Sequence, residues 1–337
     1  MRAAIDIHVH LAALPDRDNG CYISPRMLRR PLFRLLAWRF GLDLNRPVVA
    51  NSTYVEHILR DLDRSERVGK VVLLAMDGVY DGQGKLDIGA TDFLISNRYV
   101  LDLAKRYPDR FLAGVSINPQ RSDAMEELER CAGAGAALVK VLPNAQHFDP
   151  SNRQYFSFYR ALANHQLPLL SHVGFEFSLI GKDQSAGDPK KLRIALEEGA
   201  CVIAAHSCSL GLFFPKPYFK VFLEFTRSYP RFYADTSALT LPNRVRTLML
   251  LRRYPELHDK LIFGTDYPLP VFSYPSLGRG YWKSASARTP FDRQALVLEC
   301  LGIQYKDFSS LSKYNTSQKG SAQQAPTLFG SGASEDV

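Results

Sequence analysis

Two histidines near the start of the chain have the spacing of metal ligands. They belong to the run Asp6-Ile7-His8-Val9-His10, which has the composition of a β-strand. Because residues two apart on a strand share a face, we expect His8 and His10 to project together, with Asp6 one layer deeper, where it would orient them. Two buried imidazoles side by side suit chelation of a divalent cation better than packing. The spacing alone is a weak signal, because many surface strands carry it by chance.

Other apolar runs of the chain also carry residues that can bind a metal. His172 and His206 each end one run, Asp266 ends another, and Lys140 interrupts a fourth. Any one of these histidines is more often a hydrogen-bonded residue at the end of a strand. A buried lysine, however, is costly unless it is paired, coordinating or chemically modified. Four histidines, one aspartate and one lysine on five predicted strands together indicate a metal centre.

The elements that must position these residues follow from a regular alternation along the chain. Eight apolar runs of β-strand character alternate with segments whose apolar residues recur at helical spacing. This alternation predicts parallel strands, and eight such units favour a closed (β/α)8 barrel, the TIM barrel, over an open sheet. The eight predicted strands are 4–10, 71–76, 111–118, 136–142, 167–172, 201–206, 231–235 and 261–266.

The helical segments are less sharply bounded than the strands. Apolar residues from Val55 to Leu62 repeat at helical spacing after a possible N-cap at Ser52 or Thr53. A weaker stripe predicts a helix over about 91–107. No Gly-x-Gly-x-x-Gly sequence follows the first strand, so the alternative of a dinucleotide-binding sheet loses its main support.

Three segments depart from the alternation. Residues 11–50 form a long connection that contains a basic amphipathic stretch at 27–40. We interpret this insertion as a lid or subunit contact over the active face, with contact to a membrane as the alternative. A second long loop is predicted at 268–290. The predicted organisation is therefore one barrel over 1–311 and a disordered, Ser- and Gln-rich tail over 312–337.

The composition is that of a soluble globular protein. The chain has 337 residues, of which 46% are hydrophobic and 23% are charged. It has no apolar run long enough for a membrane span and no apolar stretch at its start that would act as a signal peptide, so we expect a cytoplasmic location. Its five cysteines are scattered and odd in number, which indicates reduced thiols. The net charge of +8 is spread along the chain, and no nucleic-acid partner is expected.

These motifs resemble those of the amidohydrolase superfamily. Within it, the chain looks like the branch of metal-dependent barrel hydrolases that includes aminocarboxymuconate-semialdehyde decarboxylase. The resemblance spans about residues 3 to 310. It rests on Asp6-Ile7-His8-Val9-His10, His172, His206 and Gly264-Thr265-Asp266-Tyr267-Pro268, in the order of the family.

The resemblance implies a set of metal ligands. It makes His8, His10, His172 and Asp266 metal ligands, and the metal is expected to be zinc, with manganese or iron as alternatives. His206 would bind a second ion or act as acid, base or electrophile near a single one. Lys140 matches a lysine that is carboxylated and bridges two ions in binuclear members but is also present in mononuclear ones, so the count of one or two ions stays open.

Three further residues are candidate substrate contacts, and the substrate itself is expected to be a small molecule. The candidates are Glu176, four residues past His172, together with Asn144 and His147 in the loop after the fourth predicted strand. Arginines 26, 29 and 30 of the insertion would favour an anionic substrate if they face the site. A homodimer is compatible with the sequence.

We expect hydrolysis at this site, and two alternative reactions stay open. Metal-activated water would attack an amide, ester or lactone, with Asp266 moving its proton and His206 polarising the carbonyl. The first alternative is non-oxidative decarboxylation of an unsaturated or aromatic acid at the same site. A nuclease or phosphoesterase activity is the last of the three reactions in our ranking, because the nuclease branch carries a glutamate where this chain has Lys140.

Overall fold

The fold is a barrel of eight parallel strands. A computed structural model describes residues 4–177, 179, 183–212 and 216–311, so the predicted tail at 312–337 lies outside the described residues. All eight predicted strands form, and they pair in chain order within one sheet. The strands are β1 (Ala4–His10), β2 (Val68–Leu74), β3 (Phe111–Ser116), β4 (Ala136–Val141), β5 (Leu169–Ser171), β6 (Val202–Ala204), β7 (Phe232–Asp235) and β8 (Leu261–Ile262).

Backbone hydrogen bonds between β1 and the segment that follows β8 join the two edges of the sheet. The N–H of Ile7 donates to the carbonyl of Phe263 at 3.1 Å. The N–H of Asp266 donates to the carbonyl of His8 at 2.9 Å, and the N–H of His10 donates to the carbonyl of Tyr267 at 2.8 Å. The TIM barrel predicted from the alternation of elements is thereby confirmed.

Helices follow the strands and surround the barrel. The α-helices of the described residues are Pro25–Leu28, Pro31–Arg39, Pro47–Arg64, Asn97–Arg106, Ala124–Gly133, Pro143–Gln146, Phe156–Asn164, Arg193–Glu197, Lys216–Ser228, Val245–Leu251, Gly278–Ala285 and Pro290–Cys300. Two predicted boundaries were wrong. The helix Pro47–Arg64 begins before the predicted cap because Pro47 takes the first helical position, where its missing N–H costs nothing. Residues 93–94 are extended instead of helical, and the helix after them starts at the cap Ser96.

The hydrophobic core has two layers, as the near-continuous apolar runs of the strands require. An inner cluster fills the barrel, with Ile7, Val72, Leu138, Leu170 and Ile203 among its members. An outer cluster packs the opposite faces of the strands against the helices. Polar residues at the carboxyl ends of the strands cap the inner cluster and form the floor of the site described below.

A β-bulge in β1 changes which side chains face the barrel interior. Asp6 pairs with Val71 and Val9 pairs with Leu73, so three steps on β1 match two on β2. Ile7 belongs to the inner cluster, whereas Val71 belongs to the outer one, so Asp6 points away from the interior. The expectation that Asp6 shares a face with His8 was therefore wrong, because the extra residue of the bulge reverses the alternation after Ile7.

The insertion after β1 lies at the carboxyl end of the barrel. Tyr22–Ile23 pairs antiparallel with Phe93–Leu94, and the helices Pro25–Leu28 and Pro31–Arg39 follow. A cavity of about 370 Å³ lies between this insertion and the ends of the strands. Within the part of the chain that the structure describes, no helix is long and apolar enough to cross a membrane.

Candidate metal centre

Three side chains converge at the junction of β1 and the segment after β8. The Nε2 atoms of His8 and His10 lie 3.2 Å apart. The Oδ1 atom of Asp266 lies 3.3 Å from the first and 3.1 Å from the second. His8 and Asp266 are buried, whereas His10 is partly open to solvent. The three donor atoms therefore surround one point at the floor of the cavity.

This arrangement fits a divalent cation. Two ligands each about 2.1 Å from one ion would lie roughly 3.0 Å apart at a right angle and about 3.4 Å apart at the tetrahedral angle. The observed separations of 3.1 to 3.3 Å fall within that interval. Without a cation the lone pairs of the Asp266 carboxylate and of the His8 Nε2 atom would face each other, which is unfavourable in a buried site.

Asp235, at the end of β7, fixes the orientation of His8. Its Oδ2 atom lies 2.6 Å from His8 Nδ1, and both side chains are buried. Because a carboxylate can only accept, Nδ1 carries the proton and Nε2 presents a lone pair toward the other two donors. Asp235 and His206 also lie close enough to His8 to form a second candidate ligand group. We interpret that group as the hydrogen-bonded support of the first, since Nδ1 of His8 is already used.

The same aspartate begins a chain of hydrogen bonds that ends at His172. Asp235 Oδ1 accepts from the hydroxyl of Ser237 at 2.6 Å, so that hydroxyl accepts from Nδ1 of His206 at 2.8 Å. Nε2 of His206 is then left to accept from Nδ1 of His172 at 3.2 Å. Consequently Nε2 of His172 bears a lone pair, and this buried atom has no hydrogen-bond partner among the described residues.

His172 lines the same cavity as His10 and Asp266, but its donor atoms lie outside the compact group of three. Its Nε2 atom is 3.7 Å from the Oε2 atom of Glu176, which also lines the cavity. The structure therefore places His172 beside the triad and leaves its part in metal binding a prediction. A buried nitrogen with a free lone pair is the donor that a fourth ligand would supply.

The electrostatics of the site favour neutral imidazoles and ionised carboxylates. Burial lowers the pKa of His8, and the charge of Lys140 acts in the same direction. Burial likewise holds the pKa of His172 and of His206 well below the usual range. Burial alone would raise the pKa of Asp266, but the neighbouring histidines outweigh it and keep that pKa well below its ordinary value. These are the protonation states that metal ligands require.

Lys140 lies in the interior of the barrel on β4. Its side chain is fully buried, and its Nζ atom makes no hydrogen bond with any described residue. Burial lowers its pKa to about 8, although Asp235 and Asp266 favour its charged form. The sequence predicted that Lys140 would be buried at a cost in free energy, and the structure places it so. Carboxylation of its amine remains a prediction.

Asp6 ties the two ligand-bearing segments together from outside the barrel interior. Its carboxylate accepts hydrogen bonds from the N–H of His8 at 2.9 Å, and from the N–H and hydroxyl of Thr265 at 3.1 and 2.6 Å. Burial raises the pKa of Asp6 to about 7, and these hydrogen bonds act against that rise. Asp6 thus contacts the backbone on both sides of the triad although it faces away from it.

The strand ends differ from the prediction in a way that matters for the site. His172, His206 and Asp266 follow their strands instead of lying within them. His206 and Asp266 have left-handed backbones, with φ of 58° and 70°. These irregular segments turn the side chains over the top of the inner cluster, which a regular strand would not do.

The predicted substrate contacts are not all at the cavity. Glu176 lines it, whereas Asn144 and His147 do not. Asn144 is buried and donates to Gln184 Oε1 at 2.9 Å and to the carbonyl of Gly174 at 3.2 Å, so it supports the loop after β5. His147 ends the helix Pro143–Gln146 in a left-handed conformation. A substrate contact for either residue remains a prediction.

The cavity wall is largely apolar, and one buried arginine lies in it. Arg244 is 6% exposed and donates to the carbonyls of Ser209 at 3.2 Å and Phe175 at 3.4 Å. Among the described carboxylates, none lies within ion-pair distance of it. Arginines 26, 29 and 30, which the sequence suggested for an anionic substrate, do not line the cavity. Arg26 instead pairs with Asp92 on the outside of the insertion.

Comparison with known families identifies the kind of protein that carries this site. A family model described as amidohydrolase matches residues 5–295. The chain belongs to the amidohydrolase family. The resemblance found in its motifs is thereby confirmed, and the chain is an enzyme of a metal-dependent family. No curated protein matches the sequence of this amidohydrolase significantly.

Solved structures share the barrel of this amidohydrolase at low sequence identity. An uncharacterised TIM-barrel protein from Bordetella bronchiseptica matches with a TM-score of 0.60 and 16% identity over 94% of this chain and 99% of that one. A protein described as a 2-pyrone-4,6-dicarboxylic acid hydrolase from Pseudomonas putida gives 0.53 and 16% over 94% and 96%. A dihydroxybenzoic acid decarboxylase from Polaromonas, with bound manganese and 2-nitroresorcinol, gives 0.52 and 15% over 98% and 100%. At these identities the likeness establishes the fold.

Two residues of the amidohydrolase site were missed by sequence reasoning. Asp235 ends the seventh predicted strand, so it carried the same signal as Asp266 and was overlooked. Arg244 lies in a loop and had no distinguishing signal among the 42 lysines and arginines of the chain. Only the folded structure shows that it is buried at the cavity.

Proposed function

We propose that this amidohydrolase is a metal-dependent hydrolase that acts on an ester, lactone or amide of a small, largely apolar substrate with an anionic group. The observation that carries the proposal is the convergence of His8, His10 and Asp266 donor atoms within 3.1 to 3.3 Å at the floor of the cavity. We propose one ion held by these three residues and His172. Zinc is our first choice because imidazoles dominate the set, and manganese is the alternative.

The protein residues would divide the reaction between them. When bound, a divalent cation supplies Lewis acidity and lowers the pKa of water to about 7. Asp266 is ionised, so it would accept the proton of the attacking water and return it to the leaving group. His206 accepts a hydrogen bond from His172. We therefore propose that His206 positions His172, a different role from the polarising one suggested by the sequence.

Arg244 supports an anionic substrate. Among the described residues, the buried guanidinium of Arg244 donates to backbone carbonyls, which leaves donors available for a carboxylate that it can bind with two parallel hydrogen bonds. The surrounding wall is apolar, with Leu14, Phe33, Leu36 and Phe40 among its residues. An amphiphilic acid, with its charge at Arg244 and its reacting carbonyl at the triad, fits this distribution of polarity, and a nucleic acid does not.

Isotope incorporation tests the proposal directly. The protein would be stripped with a chelator, reloaded with zinc or manganese, and supplied with carboxylate-bearing esters and lactones in ¹⁸O-labelled water. We expect turnover only after reloading, with solvent oxygen in the new carboxylate. The Asp266→Asn variant should lose turnover. Full turnover by the stripped protein or by this variant would contradict the proposal.

Decarboxylation is the second candidate, because the manganese-containing structure of similar fold is that of a dihydroxybenzoic acid decarboxylase. The same cavity and Arg244 would then hold an aromatic acid. The labelling experiment separates the two reactions, since decarboxylation releases carbon dioxide from the substrate without entry of solvent oxygen into the product. For location, we propose the cytoplasm, because the five cysteines are free, as in a reducing compartment.

A further inference from the structure

The helix Pro31–Arg39 of the insertion presents large apolar side chains to solvent. Trp38 is 79% exposed and Leu35 is 56% exposed. The two residues are three apart, so they are neighbours on one face of the helix and form a ridge. The opposite face carries Phe33, Leu36 and Ala37, which line the cavity. One short helix therefore separates the cavity from an exposed apolar surface.

Positive charge borders this ridge on both sides. Each residue turns an α-helix by about 100°, which places Arg34 on one flank of the ridge and Arg39 on the other. Both arginines are exposed, as is Arg29 before the helix. The sequence from 19 to 42 contains five arginines and no aspartate or glutamate. An apolar ridge between cationic flanks is the pattern of a helix that lies in the surface of an anionic membrane.

The charge pattern argues against a second copy of the chain as the occupant. In a two-fold symmetric contact the same surface meets itself, so these arginines would face the same arginines of the other copy. Like charges brought together in this way oppose association. A negatively charged surface has the complementary charge.

The position of the helix gives such contact a purpose. Leu32 is 43% exposed and also lines the cavity, so the helix forms part of the wall between the cavity and the outside. An amphiphilic molecule in a lipid surface beneath the helix would have an apolar route past Leu32 and Phe33 into the cavity. This route into the cavity would exist whichever reaction the metal centre catalyses.

We propose that the helix Pro31–Arg39 docks the enzyme on an anionic phospholipid surface, with Trp38 and Leu35 in the interface and the flanking arginines on the lipid headgroups. The insertion 11–50 then acts as a membrane-facing lid. The proposal is independent of the proposed function, because binding to vesicles can be measured without turnover.

Vesicle co-sedimentation of the full chain tests the proposal. We expect binding to vesicles of equal parts phosphatidylglycerol and phosphatidylcholine, little binding to pure phosphatidylcholine, and release by added salt. The double variant Arg34→Gln/Arg39→Gln should partition about 25-fold less, at about fivefold per charge removed. The matched control is Arg252→Gln/Arg253→Gln, which removes two exposed arginines that precede β8 at the opposite end of the barrel and should bind as the wild type does.

Tryptophan fluorescence locates the contact, because the chain has only two tryptophans. In a Trp282→Phe background Trp38 is the single reporter. Its emission should shift to the blue on mixed vesicles and be quenched by brominated lipid. Metal affinity and turnover of a water-soluble substrate should be unchanged in Arg34→Gln/Arg39→Gln, which separates docking from catalysis.

Two results would overturn the proposal. The first is a wild-type protein that does not bind the mixed vesicles; if Trp38→Ser then also changed the oligomeric state, measured by light scattering, the ridge would be assigned to a second copy of the chain. The second is equal loss of binding in the two double variants, which would indicate attraction by overall charge.

Discussion

Replacement of Asp235 by asparagine tests how the site selects the form of its first ligand. In the wild type, the carboxylate accepts from Nδ1 of His8 at 2.6 Å and leaves the lone pair of Nε2 directed at His10 and Asp266. In Asp235→Asn, the amide oxygen can keep the bonds from Ser237 and from the N–H of His206. The amide NH2 group would then face Nδ1 of His8, so the proton of the imidazole moves to Nε2 and points into the cluster of donors.

The size of the effect follows from what is lost. The variant loses one charge-assisted hydrogen bond. Metal binding would in addition cost the free energy of moving the proton of His8 from Nε2 back to Nδ1. Loss of such an orienting partner typically costs 10- to 100-fold in metal affinity. Because both effects act on the same ligand, we expect the upper end, about 100-fold or roughly 2.7 kcal/mol.

Competition with a chromophoric zinc chelator would measure this change, and circular dichroism would verify the fold. The matched control is Asp292→Asn, a buried aspartate that accepts from the hydroxyl of Ser65 at 2.6 Å and from the N–H of Arg67 at 3.1 Å, away from the site. Its metal affinity should equal that of the wild type even if its unfolding free energy falls. Unchanged affinity in folded Asp235→Asn would refute the assigned tautomer of His8.

Three other predictions concern the site and its surroundings. A Cβ atom at Gly264 would lie 3.1 Å from Cβ of His8, so Gly264→Ala should lower metal affinity by about tenfold in the chelator assay. The control Gly133→Ala has open space around the added methyl group and should leave metal affinity unchanged. Equal affinities of the two variants would show that His8 can shift without loss of metal binding. Arg244→Gln should raise KM for an anionic substrate by about 10- to 100-fold and leave a neutral analogue unaffected; a parallel loss for both substrates would assign Arg244 to structure. Burial raises the pKa of the Cys21 thiol to about 11 and of the Cys131 and Cys201 thiols to about 12. A disulfide reagent at pH 8 should therefore modify the half-buried Cys300 first. Rapid reaction of several thiols in the native protein would contradict this order.

The sequence contained enough to predict the barrel and most of its polar floor. Strands buried on both faces are continuous apolar runs, and a histidine or aspartate at the end of such a run is visible without coordinates. The same rule applied to 231–235 would have found Asp235. Asp235 was missed because it supports a ligand and is not itself one, and its role follows only from the need of a buried imidazole for an acceptor that fixes its tautomer.

Other features of the site depend on contacts between segments that are distant in sequence, and the apolar periodicity of one strand does not reveal such contacts. The bulge in β1 is set by pairing with β2, so the outward direction of Asp6 could not follow from alternation alone. The left-handed backbones of His206 and Asp266 arise beyond the strand ends, where the chain is held by tertiary hydrogen bonds. Arg244 differs from exposed arginines only in its burial, which depends on how loops after different strands pack.

The seam between β1 and the segment after β8 gives the metal centre a mechanical role. His8 and His10 come from the first stave of the barrel, and Asp266 comes from the last, so a shared cation would cross-link regions 256 and more residues apart in sequence. The other neighbouring strands of the barrel are joined by regular strand pairing. Between β1 and the segment after β8, a few backbone hydrogen bonds and the contacts of Asp6 with Thr265 make the connection. Breathing of the ion-free barrel should therefore start at this seam. Deuterium uptake at 4–10 and 263–267 should slow on zinc loading, and loading would thus decide how firmly the cylinder is shut.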